Sequence, residues 1–375
     1  MPTTSRHAEW QWNERQGKQQ QSSGMSEVDL AKSWEEFCDL LRDAGRQVLV
    51  ASPDDDFDRA EGLRYVTRLA ANFLKANLEE ADPARAILNQ SGVKIGLDNP
   101  DYAYGGARLS PRFEYRLRGR INDAHSIRMG AFSGGLGTPE GLIRDSYLVT
   151  EDLALDDDGC FEVAISTEPQ TGPWLAMKEG TNALTIRQTL LDRPNQVPAE
   201  LALERTDAGG PPQPVDPERL SDALGRAGFT VAAVVGQFLG WTDSFAAHPH
   251  EIRPINPELL AFAQGDPDTS YNYGYYDLGP DVAWIIEFEP PECEYWNIQL
   301  GNHWLESLDF EYYPTNLNHH TAAVEDDGTV RVVVARRDPG HPNWLDTAGH
   351  ARGGLALRWV GAEIEPEVRC RVEEI

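Results

Sequence analysis

The sequence predicts an α+β protein: a β-sandwich or jelly-roll core with amphipathic N-terminal helices and an inserted linker helix. Three observations predict it. Apolar residues recur at helical spacing up to residue 74. Apolar and polar residues alternate at period two in 113-FEYRLRGRIND-123, the mark of a strand with one buried face. A Gly/Pro-rich linker, 206-TDAGGPPQPVD-216, separates two groups of such strands.

Taken in order, residues 1–24 read as a disordered polar leader without the apolar stretch of a signal peptide. Residues 25–96 form an N-terminal helical segment. Leu30, Trp34, Phe37, Leu41 and Ala44 mark one helix, and Leu63, Val66, Leu69, Ala70, Phe73 and Leu74 a second, each with an apolar face. A first β-rich region spans 97–205. It opens on the turn-rich 97-LDNPDYAYGG-106 and holds strands at 113–123, 144–150, 160–166 and 182–190; 130-GAFSGGLG-137 reads as a mobile loop or lid. Residues 206–265 are linker and helical insertion, with Asp216 as N-cap, Pro217 at the first helical position and the helix running to about Trp241. A C-terminal β-rich region, 266–375, holds strands at 282–289, 294–304, 329–337 and 354–360.

Of the 375 residues, 61 are acidic and 33 are Lys or Arg, a formal charge of −28. Such a field repels nucleic acid and anionic membranes, so the expected partner is a small molecule, with self-association left open. Cys38, Cys160, Cys293 and Cys370 form no CxxC pair, which fits a reducing, cytoplasmic setting. No uninterrupted apolar run approaches the ~20 residues that cross a bilayer. No GxSxG motif is present, and Cys160 and Cys293 have acidic neighbours that disfavour a thiolate.

The stretch 338-DPGHPNWLDTAGHARGGLALRW-359 resembles the terminal signature of the family called domain of unknown function 1214, supported by 294-EYWNIQLGNHWLESLDF-310, 316-NLNHH-320 and 328-GTVRVVVA-335. Upstream, 60-AEGLRYVTRLAANFL-74 and 97-LDNPDYAYGGARLSPRFEYRLRG-119 are similar to that family and its companion, domain of unknown function 1254. The resemblance covers most of residues 60–360. It implies a β-sandwich or jelly-roll fold, found mostly in bacterial soluble proteins, and no settled chemistry.

Five of the nine histidines lie between 303 and 350, and this clustering directs the search for chemistry. On 295-YWNIQLGNH-303, Tyr295, Asn297, Gln299 and His303 point to one face. Uncharged hydrogen-bonding groups in such a row line a ligand pocket, or form a polar face covered by another element. His303 and His320, with Asp338, are candidate acid/base groups; with a carboxylate they could also hold a divalent metal, the one cofactor the sequence leaves open. In 338-DPGHPNWLDTAGHARGG-354, Asn343 and Asp338 are ordinary turn formers and Trp344 a plug. The first reading of that loop is structural, with Asn343, Trp344 and His350 as a pocket edge in the second. Arg118 and Arg120, beside Arg112 and Arg116, are either surface ion pairs or a grip for an anionic group. Tyr273 in 270-SYNYGYYDLGP-280 and Arg358 add aromatic and cationic pocket candidates. The pair in 248-HPHE-251 lacks the carboxylate that a cupin metal motif would place after it.

The functional expectation is an enzyme acting on a small, mostly apolar metabolite, aromatic or steroid-like, by histidine acid/base or metal-assisted chemistry. The alternative is a non-catalytic binding or carrier protein, or a scaffold subunit.

Overall fold

The computed structural model describes residues 28–375, apart from Gly137, Pro139, 208–213 and 257–265. The expected leader and much of the expected linker therefore lie outside the described residues. Helix α1 (Leu30–Ala51) is capped by Asp29, whose carboxylate accepts from the Lys32 N–H, and α2 (Asp56–Leu74) by Asp55, which accepts from Phe57. Asp216 and Pro217 open α3 (Pro217–Ala246) as the sequence predicts, and the helix continues past Trp241.

Two sandwiches follow, each with its own apolar core. In the first, β1 (Tyr102–Arg108), β7 (Thr181–Thr189), β3 (Ser126–Gly134) and β4 (Leu142–Leu148) form one sheet in that order. The facing sheet runs β6 (Trp174–Ala176), β5 (Cys160–Ser166), β2 (Tyr115–Arg120) and β8 (Glu200–Arg205). Leu117, Val163 and Ile165 from one sheet meet Ile127, Met129 and Ile186 from the other. The second sandwich pairs a sheet ordered β13 (Asn316–Asn318), β12 (Tyr295–Leu300), β16 (Arg352–Val360), β10 (Thr269–Asp277) and β9 (Arg253–Pro254) with a second sheet. That sheet runs β15 (Trp344–Asp346), β14 (Val330–Ala335), β11 (Val282–Phe288) and β17 (Arg369–Glu374). Its core is heavier, with Trp284, Phe288, Trp296 and Trp359 among Ile, Leu and Val. Neither sandwich closes into a barrel.

The structure corrects two expectations and assigns a segment that the sequence left open. Residues 126–134, overlapping the expected lid, are a strand buried over most of its length. The turn-rich 97–106 contains the start of β1, and the tyrosine run is β10. α3 is the one helix among the described residues long and apolar enough to cross a membrane by length and composition. Its apolar side, including Val231, Val235, Phe238 and Trp241, packs instead with α1, α2 and the outer face of the second sandwich.

The seating of α2 depends on a polar clamp. Asp58, Glu61, Gly62, Tyr65 and Arg68 share one helix face. A side chain at Gly62 would fall 2.5 Å from the Trp304 ring, so only glycine lets the helix this close. The Trp304 indole N–H donates to the Asp58 carbonyl at 2.9 Å, and Arg68 pairs with buried Glu306 at 2.6 Å. The Asn302 amide donates to both Glu61 and Glu306 at 2.9 Å. His350 Nε2 lies 2.6 Å from the Glu61 carboxylate, and its Nδ1 lies 2.8 Å from the Thr347 carbonyl. With an acceptor at each ring nitrogen, His350 is an imidazolium.

Burial alone would lower the His350 pKa, but the bond to Glu61 and that carboxylate's charge raise it above 6.5. Burial would raise Glu61, but the hydrogen bond and charge of His350 bring it below 4.5. His350 therefore contributes stability in full below pH about 6.5, lost as pH rises through its higher folded value. Glu61 contributes in full above pH about 4.5, lost as pH falls through its depressed folded value. The melting temperature of the wild type is expected to fall on the alkaline side of 6.5, and His350→Gln to remove that component of the decline. An unchanged alkaline slope in the variant would show that the clamp is not the titrating element.

Candidate functional site

The two sandwiches meet at the segment 96-GLDNPD-101, which fits against the polar face of β12 and β16. Gly96 and Leu97 both have left-handed φ, +61° and +57°. Leucine is strained there, and the turn is held by the Leu97 N–H donating to Leu305 at 2.6 Å and by the Arg358 guanidinium donating to the Leu97 carbonyl. The next residues continue the contact. Gln299 donates to the Asp98 carbonyl at 2.7 Å, and Asn297 to the Asn99 side chain at 2.9 Å. Asp101 accepts from Tyr295 at 2.6 Å, Asn316 at 2.9 Å and Asn318 at 3.1 Å. Burial pushes the Asp101 carboxyl up to about 6, with the bonds from Tyr295 and Asn318 working against it. The row Tyr295, Asn297 and Gln299 is thus a polar face covered by a neighbouring segment, the second of the two readings its residue types allow.

Beside this contact lies a cavity of about 480 Å³, within the range of small-molecule sites. One wall is the outer face of the β1–β7 sheet. Tyr102, Tyr104 and Arg108 alternate toward it along β1, and Thr185 and Arg187 along β7, while Ala103, Ala107, Leu184 and Ile186 turn into the core. The opposite wall is the outer face of the second sandwich, with Tyr271 and Tyr273 from β10 and Arg358 from β16. Phe238 and Trp241 of α3 close the apolar end. Tyr271 and Tyr273 lie nearly parallel, at an interplanar angle of 5°, and Tyr273 stacks on Phe245 at 4.9 Å. Burial pushes the Tyr273 phenol well up, so its hydroxyl remains a donor.

No histidine lines the cavity among the described residues. Its two carboxylates are committed elsewhere. Glu80 pairs with Lys75 at 2.8 Å, and Asp98 binds Ser307 through both oxygens. Arg358 spends its guanidinium on Gln299, at 2.6 Å, and on Leu97. Arg187 has no hydrogen bond or ion pair among the described residues, and its buried Nη1 is without a partner.

Of the sequence-predicted site residues, Tyr273 and Arg358 line the cavity, and the others do not. His303 is buried with its Nδ1 2.6 Å from the Tyr275 hydroxyl. Burial lowers its pKa to about 4, so it is a neutral packing residue. His320 is exposed, and Asp338 caps the turn at Gly340 on the surface. The three proposed catalytic groups therefore share no cavity. Among the described residues no three His, Cys, Asp or Glu side chains form a group that could hold a metal, which removes the geometric basis for the His303–His320 centre. Arg118 pairs with Glu162 and Glu204 at 3.0 and 2.9 Å on an exposed face, and Arg120 bonds the Asp158 carbonyl, so neither faces a ligand site.

The 338–354 loop is structural. Asn343, buried, ties Ala323 and Arg331 with three bonds, the Trp344 indole donates to the Ala335 carbonyl, and His350 serves the α2 clamp. Reading the sequence missed Arg187, Tyr102, Tyr104, Phe238 and Trp241. Alternation in 102-YAYGGAR-108 marks the two tyrosines. Arg187 has no local signal, because only its cross-strand pairing with Tyr104 brings it to the cavity.

Comparison with known proteins agrees with this architecture. Residues 277–363, most of the second sandwich, match a family described as protein of unknown function (DUF1214). The crystal structure of an uncharacterized protein from Burkholderia cenocepacia is 39% identical, with 92% of this chain and 98% of that one covered and a TM-score of 0.88. The chain belongs to the DUF1214 family. The VPA0106 protein from Vibrio parahaemolyticus is 12% identical over 89% of this chain and 100% of its own, at a TM-score of 0.48. No curated protein matches. The DUF1214 segment begins after Tyr271 and Tyr273 and lies outside the first sandwich, so among the described residues lining the cavity it covers Arg358 alone.

The contact beside the cavity is open to direct test. Asp101→Ala would leave the Tyr295, Asn316 and Asn318 donors without their acceptor. The expected loss is about 3 kcal/mol or more by urea unfolding, since each buried unsatisfied group costs ~1–3 kcal/mol. A loss below about 1 kcal/mol would mean that water or other groups take over.

Proposed function

We propose that this DUF1214 protein is a small-molecule-binding protein, and that its ligand is a flat, mostly apolar molecule held between the two sandwiches. The observation that carries the reading is the cavity itself: stacked tyrosines, Phe238 and Trp241 form its walls, and its two carboxylates are already committed. Tyrosines suit such a ligand because each presents an apolar face and one polar tip. The dispersal of His303, His320 and Asp338 favours binding over histidine acid/base chemistry. The four free cysteines support a reducing, cytoplasmic setting. The likeness of residues 60–119 to domain of unknown function 1254 belongs to the same reading, since that region supplies α2 and β1.

Calorimetric titration with two flat probes, 2-naphthoate and 2-naphthalenemethanol, tests the reading. At least one is expected to saturate at one per chain. Thr185→Trp, which fills the cavity from the β7 wall, is expected to abolish binding with little change in melting temperature. Failure of both probes, and of a steroid side-chain acid and its alcohol, to saturate, or unchanged binding to the filled variant, would reject the cavity as the site.

A further inference from the structure

We infer that the ligand carries a carboxylate, and that Arg187 is its counter-ion; this rests on the cavity reading above. Two neighbouring arginines differ in their partners. Arg128 on β3 and Arg187 on β7 are directly paired across the sheet and so share its outer face. Arg128 reaches the second sandwich, where Asp266, Asp268 and Glu294 surround it, the first two at 3.2 and 3.0 Å. Arg187, one strand away, has no carboxylate partner among the described residues. The titratable side chains around it are tyrosines: Tyr271, Tyr147, Tyr104 and Tyr102.

A buried guanidinium nitrogen without an acceptor is costly, and native interiors rarely leave one. In a chain of formal charge −28, a partner for an arginine is easily supplied. This one faces a cavity instead. The groups around it are also incomplete. The Tyr147 hydroxyl is buried without a partner. The Tyr104 hydroxyl accepts from the Asn99 N–H at 2.9 Å, leaving its own proton to donate. Tyr102 and Tyr273 make no hydrogen bond through their hydroxyls among the described residues.

A planar cation flanked by unsatisfied phenols matches a planar anion. Arginine holds a carboxylate with two parallel N–H bonds, and phenol donors take its remaining lone pairs. The apolar body of the ligand then lies toward Phe238, Trp241 and the stacked Tyr271–Tyr273 face. Arg108 lines the same cavity four residues along the neighbouring strand from Tyr104, roughly 13 Å from the Arg187 end. It serves as an internal control.

The test compares each carboxylate probe with its neutral alcohol: 2-naphthoate against 2-naphthalenemethanol, and a steroid side-chain acid against its alcohol, by calorimetry at pH 7. The carboxylate of the better-fitting pair is expected to bind at least tenfold tighter. Arg187→Met is expected to reduce that ratio to near one while changing alcohol affinity less than threefold. Arg187→Lys, which keeps the charge but not the fork, is expected to retain part of the preference and covers the case in which the methionine variant does not fold. Arg108→Met is expected to leave the ratio unchanged. Equal binding of acid and alcohol to the wild type, or a ratio that survives Arg187→Met, overturns the assignment with the cavity intact. Loss of the preference through Arg108→Met alone overturns it as well. Failure of every probe rejects the cavity itself.

Discussion

The arrangement of the molecule depends on one buried polar contact, the fit of 96-GLDNPD-101 against β12 and β16. The five residues Leu97 to Asp101 approach a strand whose outward face is Tyr295, Asn297 and Gln299, with Arg358 on the adjoining strand, and nearly every polar atom there finds a partner in the opposite sandwich. Hydrogen bonds of this kind contribute modestly when made and cost heavily when left unmade. They therefore fix the relative position of the sandwiches more than they add net stability. The left-handed turn at Gly96–Leu97 is part of the same constraint, because it directs the chain from the helical layer into the joint.

The cavity follows from that joint. Beside the bonded corner the outer faces of the two sandwiches leave a space walled by tyrosines from both and capped by α3. On the far side, Arg128 crosses the gap to a cluster of carboxylates and closes it. Arg187, its cross-strand neighbour, faces the space that remains. A ligand there would touch both sandwiches at once, and its binding energy would add to the joint. The Burkholderia relative covers nearly the whole chain, which extends the likeness well beyond the DUF1214 segment to the elements that build the joint.

Much of this fold was legible in the sequence, and the reasons are local. Asp216-Pro217 marked a helix start, period-two alternation marked β2, and the row Tyr295, Asn297, Gln299 announced a face that is neither core nor ordinary surface. Its covering was not legible, because 97-LDNPD-101 reads as any turn until its partner strand is known. The histidine cluster misdirected the chemical reading. Sequence proximity between 303 and 350 brings none of these histidines to the cavity: all five lie in turns and loops outside the strands, and His350 answers instead to Glu61 on a distant helix. Arg187 shows the converse: its significance lies entirely in a missing partner, and a missing partner is a property of three-dimensional neighbours.

The most direct measurement is a crystal structure of the protein soaked with 2-naphthoate. The account predicts density in the cavity, with the carboxylate within hydrogen-bonding distance of Arg187 and the ring between the Tyr273 face and Trp241. A probe found outside the cavity, or in the cavity with its carboxylate turned away from Arg187, would contradict it.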